Sequence, residues 1–267
     1  MRRCLVVLTL AMTLGVAVSA SAGSPPTCGG QTATVSGTTA NEVVNGTPGD
    51  DIIVGGGGND SINGLGGNDR ICGNEGADDI SGGGGNDEID AFGGTDFIRG
   101  GNGSDGIFGE EGDDVIGAGR GDDFVSASSG DDEIAPGGGN DTVEAGSGDD
   151  RTFDDGGDNF VVGGDGSDLT ILAGGDDIIL AGGGDDLNGG GGGNDEVEGG
   201  DGVDDIFGAG GRDRIEGGSG DDELRGGGDN DNIKAGDGDD LLSGNSGDDF
   251  CLGGTGFDRR RGCESGS

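Results

Sequence analysis

The sequence has no histidine, no tryptophan and no tyrosine among its 267 residues. Without an imidazole, the His-dependent Ser and Cys triads and the H-E-x-x-H zinc site are excluded. Basic residues are scarce: 13 Lys and Arg stand against 55 Asp and Glu, a formal charge of −42. That excludes a basic nucleic-acid binder. Leu, Ile, Val and Phe together number 53, just under a fifth of the chain. So few large apolar side chains at such a charge normally signal disorder, because too little surface is buried to offset chain entropy. A conventional enzyme domain with a thick core is excluded on the same ground. What is abundant is glycine, 73 residues of it. Either the chain is disordered, or something outside the sequence supplies the missing stabilisation.

Residues 1–22 differ from the rest. Met1-Arg2-Arg3 leads into an apolar run from Leu5 to Val18 and then Ala20-Ser21-Ala22. A basic start, a short apolar stretch and an A-x-A site describe a secretory signal peptide cleaved near Ala22. The run is too short for a transmembrane segment, which needs about 20 apolar residues and a flanking stop. The expectation is an extracellular chain of charge −44, since two Arg and no acid leave with the leader. Cys28, Cys72, Cys251 and Cys263 then remain, an even number that suits an oxidising exterior.

From Gly46 the chain repeats every nine residues without an insertion: GTPGDDIIV, GGGGNDSIN, GLGGNDRIC, GNEGADDIS and onward to Arg261, 24 units in phase. The sixth place is Asp in 23 units, the exception being Asn159; the fourth is Gly in 23, the exception being Asp229. A random Gly/Asp tract would not hold that phase. Gly at the first, second and fourth places permits the positive φ of a tight turn. The last three residues read outward, inward, outward, as a very short strand. The inward eighth place supplies an aliphatic such as Ile53, Ile62, Ile71 and Ile80. One unit cannot bury anything, but stacked units share a continuous thin core. A collagen helix is excluded by the period of nine and the four prolines.

This pattern resembles the repeats-in-toxin (RTX, haemolysin-type) nonapeptide, G-G-x-G-x-D-x-U-x with U a large aliphatic. The resemblance implies an all-β parallel β-roll with two units per turn, a strand on each face and turns along both edges. It further implies Ca²⁺ between turns of successive rungs, held by the sixth-place Asp and backbone carbonyls. Carried onto this sequence, one edge holds Asp51, Asp69, Asp87, Asp105, Asp123, Asp141, Asn159, Asp177, Asp195, Asp213, Asp231 and Asp249. The other holds Asp60, Asp78, Asp96, Asp114, Asp132, Asp150, Asp168, Asp186, Asp204, Asp222, Asp240 and Asp258. The 23 aspartates are the candidate metal ligands. A hard cation wanting six to eight oxygens suits a glycine turn that exposes carbonyls beside a carboxylate. Carboxylates stacked about 4.8 Å apart repel without one. Eleven gaps per edge give a ceiling of about 22 ions.

Several places depart from the pattern. Units 12, 14 and 16 put Thr152, Thr170 and Asn188 in the eighth place, with Phe153, Leu169, Ile171 and Leu187 one step away. Either the register slips by one there, inverting which side chains face inward, or an apolar patch lies outside, with Phe160, Val162, Ile178 and Leu180 flanking the opposite sheet. With Asn159 nearby, the calcium ladder is expected to be weakest around residues 150–190. Residues 23–45 form an N-terminal cap in which 28–36 and 37–45 keep the phase, with Val35 and Val44 inward, as two metal-free rungs. Arg260, inward within Arg259–Arg261, should end the stack, and the three Arg should neutralise the terminal rung; 262–267 is a short tail. Four cysteines allow three pairings. Cys251–Cys263 closes a short loop and is preferred; Cys28–Cys72 follows by elimination and requires the N-terminal segment to fold back.

The expected function is a secreted, non-enzymatic calcium-binding repeat protein that folds on extracellular Ca²⁺ and serves as a surface or matrix scaffold. A Sec-type leader, terminal cysteines and a domain of little but repeats resemble small secreted calcium-binding proteins of actinobacteria. The alternative is a calcium-dependent adhesin that holds a cell-surface, matrix or protein partner through an apolar patch at residues 150–190. A repeat toxin or hydrolase fails because signal, caps and repeats leave no residues for a catalytic domain. Ice binding fails because the seventh place, Ile52, Ser61, Arg70, Asp79, Glu88 and Phe97, carries no threonine row.

Overall fold

The computed structural model describes residues 26–264, so the expected signal peptide lies outside the described residues. Within them the chain winds as a flattened parallel solenoid. Alternate units stack into two parallel sheets of 13 strands each, and no helix is present among the described residues. One sheet runs from Val35–Ser36 to Phe250–Thr255, the other from Val43–Asn45 to Arg259–Arg261. The register is 18 residues throughout: Ile53 pairs with Ile71, Ile71 with Ile89, and Ile62 with Ile80. Two nine-residue units therefore make one turn, which is the expected β-roll.

The eighth-place side chains from both sheets meet between them as one core, including Ile53, Ile62, Ile71, Ile80, Ile89 and Ile98. Each buried aliphatic contributes about 1.5–3 kcal/mol, and no unit could realise that gain without its neighbours.

The strands are longer than the repeat suggests. Most span six residues, as in Ile52–Gly57, running from the seventh place through the third place of the next unit. Positive φ belongs to the second and fourth places, as at Gly56 and Gly58 (117° and 102°), and not to the first. Even Leu65 and Phe92 at second places take φ of 78° and 76°. First-place glycine serves space instead: a Cβ on Gly100 would lie 2.5 Å from both Asp105 Oδ2 and the Ala118 carbonyl.

Of the two alternatives for units 12, 14 and 16, the register slip does not occur and the aliphatics lie outside. Thr152, Thr170 and Asn188 pair in frame and are 1 %, 2 % and 0 % exposed. Phe153, Ile171 and Leu187 lie outside at 42 %, 38 % and 38 %. The frame is held by the turns: the Asp150, Asp168 and Asp186 N–H groups keep their bonds to the carboxylates one rung on, at 2.9, 2.8 and 3.0 Å. A one-residue slip would break these while the rungs on either side stayed in place. Two of the three strands here are three residues long, Arg151–Phe153 and Leu169–Ile171, while Leu187–Gly192 keeps six. The Asn188 amide is also left without a partner on either atom.

The ends also differ from expectation. Of residues 28–36, only Val35–Ser36 joins the stack; Thr27–Cys28 and Gln31–Thr32 form an antiparallel hairpin. The hairpin folds over the outer face and packs Cys28 against Val54 and Cys72. It thereby closes the Cys28–Cys72 disulfide, Cα–Cα 5.7 Å. Residues 43–45 do form a rung, paired with Ser61–Asn63. At the other end Cys251–Cys263 is formed. Arg259–Arg261 pairs with Leu241–Ser243 as the last strand of its sheet among the described residues and is exposed. Among the described residues, none of these three Arg has a carboxylate within ion-pair distance, so they do not neutralise the rung by direct pairing. Arg260 instead donates to the Cys251 carbonyl at 3.1 Å.

Candidate metal centres

The sixth-place residues line up in two rows, one along each edge, each residue directly above the one 18 positions on. From Asp60 to Asp249 every one is at most 4 % exposed. They are tied by a repeating bond in which the backbone N–H of one sixth-place residue donates to Oδ1 of the next rung's. Examples are Asp51 to Asp69 at 2.8 Å, Asp60 to Asp78 at 2.8 Å, Asp114 to Asp132 at 2.7 Å and Asp213 to Asp231 at 3.0 Å. Asp240 to Asp258 stretches to 3.5 Å, at the last rung among the described residues.

The second carboxylate oxygen tells more. In 21 sixth-place aspartates Oδ2 is buried with no hydrogen-bond donor. A buried carboxylate oxygen without a partner carries a desolvation cost of several kcal/mol if it stays charged and alone. Burial, the largest cause, pushes Asp114, Asp150, Asp186, Asp195 and Asp222 up to about 7, with neighbouring carboxylates adding to it. The same cause takes Asp69, Asp96, Asp123, Asp132 and Asp231 up to about 6. The rows are thus built to hold protons or cations.

The donor set decides which cation fits. There is no histidine, and all four described cysteines are in disulfides, so only hard oxygen ligands are offered. Carboxylates and turn carbonyls suit Ca²⁺ and disfavour zinc or copper. Among the described residues no three acidic side chains converge on one point. A cation between rungs would therefore draw on the carboxylates of two successive rungs of one edge, 18 residues apart, and take its other oxygens from backbone or water.

Two sixth-place carboxylates are satisfied without any cation. Burial acts to raise Asp51, but the Thr47 N–H, the Thr47 hydroxyl and the Thr34 hydroxyl outweigh it and hold it below its ordinary value. Glu42 occupies the sixth place of the 37–45 rung, where its Oε2 accepts the Thr38 N–H at 2.6 Å. It stands in for the aspartate that the rung lacks.

A second ladder escaped the sequence reading. The fifth-place side chain accepts the backbone N–H of the fifth-place residue in the following rung: Asn68 to Asp50 at 2.8 Å, Asp149 to Asp131 at 2.9 Å, Asp239 to Asp221 at 2.8 Å. It runs opposite in direction to the sixth-place ladder, so a turn that carries both bonds is clasped forward and backward. The signal was present, since the fifth place is Asp, Asn or Ser in 19 of the 24 units. Asp90, a ninth-place carboxylate, was also missed. Its Oδ1 lacks a partner. Burial first, then Glu110 and Glu88, raise it to about 6 against the opposing charge of Arg70.

No curated protein sequence matches the chain. The profile of the RTX calcium-binding nonapeptide repeat (4 copies) does, over residues 36–71, 73–107, 108–143, 136–170, 189–224 and 225–259. Between the matched stretches lie residue 72 and the longer gap 171–188, the latter being the part of the roll where Leu172 replaces the first-place glycine and Asn188 the aliphatic. The in-phase turns, the paired sheets and these matches together cover most of the sequence, and the chain belongs to the RTX calcium-binding nonapeptide-repeat family.

Proposed function

We propose that this is a secreted, non-enzymatic protein whose roll folds around extracellular Ca²⁺ and serves as a surface or matrix scaffold. In this reading residues 1–22 are the cleaved leader, 23–45 the N-terminal cap, 46–261 the calcium-binding roll and 262–267 the tail. The ligands are the 23 sixth-place aspartates, and at most about 22 ions are taken up. The observation that carries the reading is the set of 21 buried Oδ2 atoms with no donor. When bound, calcium supplies the positive charge these oxygens lack. The chain's own part is to hold Oδ1 in the inter-rung bond and so aim Oδ2 in a fixed direction. At a dissociation constant of about 10⁻⁴ M and about 1 mM Ca²⁺, each site stabilises the fold by about 1.4 kcal/mol. Ten such sites match the whole net stability of a typical domain, about 5–15 kcal/mol. Far-UV circular dichroism of the chain in chelator and then in rising Ca²⁺ tests this. The reading expects a disordered spectrum that converts to β and reverts on chelation. A spectrum unchanged at 10 mM Ca²⁺ would sink it.

One observation favours a second role as an adhesin. Phe153, Ile171 and Leu187 are exposed on one sheet, with Ile178 exposed on the other at the same level of the roll. Replacing Leu169, Ile171 and Leu187 with Ser is expected to abolish attachment to a matrix or cell surface while leaving calcium-induced folding intact. Attachment that survives the triple substitution would remove the adhesin reading.

A further inference from the structure

Unit 13, residues 154–162, departs from the repeat at two places at once. Its sixth place is Asn159, and its first place, elsewhere Gly, Ala, Pro or Leu, is Asp154. The two changes answer each other. Asn159 Oδ1 accepts the Asp141 N–H at 2.9 Å, as an aspartate would. Its Nδ2 donates to Asp154 Oδ2 at 2.9 Å and to the Gly157 carbonyl at 3.2 Å. Asp154, only 7 % exposed, also accepts the Gly156 N–H on Oδ2 at 2.7 Å and the Gly137 N–H on Oδ1 at 3.1 Å. Every polar atom of the pair has a partner within the protein. The sixth-place aspartates on the rungs before and after, Asp141 and Asp177, each keep a buried Oδ2 without one.

An amide nitrogen donates and cannot ligate a cation. Turning the Asn159 amide over would set its NH₂ against the Asp141 N–H, so the backbone ladder fixes its direction. Where the neighbouring rungs at Asp141 and Asp177 turn an unpaired oxygen inward, this one turns a donor, and the carboxylate that meets it comes from the same unit.

We propose that unit 13 is a calcium-free rung, in which the Asp154–Asn159 pair does the work of a cation. It divides one edge into two separate ion rows, Asp51–Asp141 and Asp177–Asp249, while the other edge runs unbroken. The inference deepens the calcium reading above and rests on it. A site that needs the sixth-place carboxylates of two successive rungs is lost on both sides of Asn159, which lowers the ceiling from about 22 ions to about 20.

Native mass spectrometry of the full chain refolded in Ca²⁺ counts the ions directly, with circular dichroism to verify that each variant folds. The double variant Asp154→Gly/Asn159→Asp restores the regular unit and is expected to gain about two ions over the unsubstituted chain. Asp154→Asn removes the charge but keeps the shape and is expected to leave the count unchanged. Asp105→Asn, in a regular rung, is expected to lose about two. Loss of ions in Asp154→Asn would make Asp154 a ligand and overturn the proposal, as would a folded double variant with no gain. Should Asp154→Asn fail to fold, the double variant decides alone. An unsubstituted chain that binds no calcium, with Asp105→Asn indistinguishable from it, overturns the underlying reading as well; a normal count that falls only in Asp105→Asn leaves that reading intact.

Discussion

Residues 100–144 and residues 145–189 are cut from the same nine-residue frame, yet they fill it in different ways. In the first stretch the eighth place is Ile107, Ile116, Val125, Ile134 and Val143, all buried. In the second, one sheet keeps Val161 and Ile179 while the other buries Thr152, Thr170 and Asn188 and turns its aliphatics outward. The roll passes through both without a change of register. What sets the register is therefore the edges, where the sixth-place ladder, joined through residues 149–185 by the fifth-place one, clasps the turns, more than the apolar stripe between them. The stripe supplies energy and the turns supply position.

The comparison can be broken most strongly through pH. In the metal-free chain, sixth-place aspartates such as Asp114 and Asp150 have folded pKa values of about 7, above the about 3.9 of an unfolded aspartate. The folded state then binds protons more tightly than the unfolded one, so stability falls as pH rises. The contribution is fully present below about pH 4 and lost as pH climbs through 6 to 7. In chelator, circular dichroism at pH 5 should show more β-structure than at pH 8; the reverse order would contradict the burial of uncompensated carboxylates. The effect acts through the regular rungs, which hold nearly all the unpaired oxygens.

The next largest effect sets the two interiors against each other. Ile107→Ala should cost about 2–5 kcal/mol in the calcium-loaded protein, because it opens a cavity in a closed stack. Asn188→Leu at the same place of another unit should instead stabilise by about 1–3 kcal/mol, by removing an unpaired buried amide. Thermal or denaturant unfolding in Ca²⁺ measures both, and a destabilised Asn188→Leu would show that the mid-roll interior is not the weak part.

The smallest effect separates the two ladders. Asp131→Ala removes the fifth-place acceptor of the Asp149 N–H and should cost about 0.5–1.5 kcal/mol with no change in bound calcium. Asp132→Ala, its sixth-place neighbour, should lower the number of ions as well. Equal ion loss in both variants would merge the two rows into one function.

Much of this was legible in the sequence because the period is a physical constraint: the stacking of units and the inward aliphatics follow from it, while two units per turn, and with it the 18-residue register, came from the resemblance to the RTX nonapeptide. The four cysteines left three pairings, of which the preferred Cys251–Cys263 and its complement Cys28–Cys72 form, the latter only through a hairpin too short for the nine-residue pattern to register. What escaped were features that depend on three-dimensional direction. The fifth-place residues carry no role in the repeat pattern until the Asp50, Asp131 and Asp221 side chains are seen accepting N–H groups from the next rung. The register at Thr152, Thr170 and Asn188 was ambiguous because hydrophobic alternation alone argues for a slip there, and the opposing restraint lies in the turns. Asn159 read as a plain defect, since nothing in a linear pattern says that Asp154 folds back to meet its amide. Glu42 was passed over because only its place in the frame, not its residue type, marks it as a sixth-place acid.

The central claim is that the unpaired sixth-place Oδ2 atoms are the calcium ligands that hold the roll together. Long-wavelength anomalous diffraction from crystals grown in Ca²⁺ tests it most directly, because it locates each ion rather than its consequences. The account predicts calcium peaks between successive rungs along both edges, in contact with sixth-place Oδ2 atoms such as those of Asp105 and Asp114, and none beside Asn159. An ordered roll whose Oδ2 atoms touch no ion, or calcium confined to the exposed fifth-place acids, would contradict it.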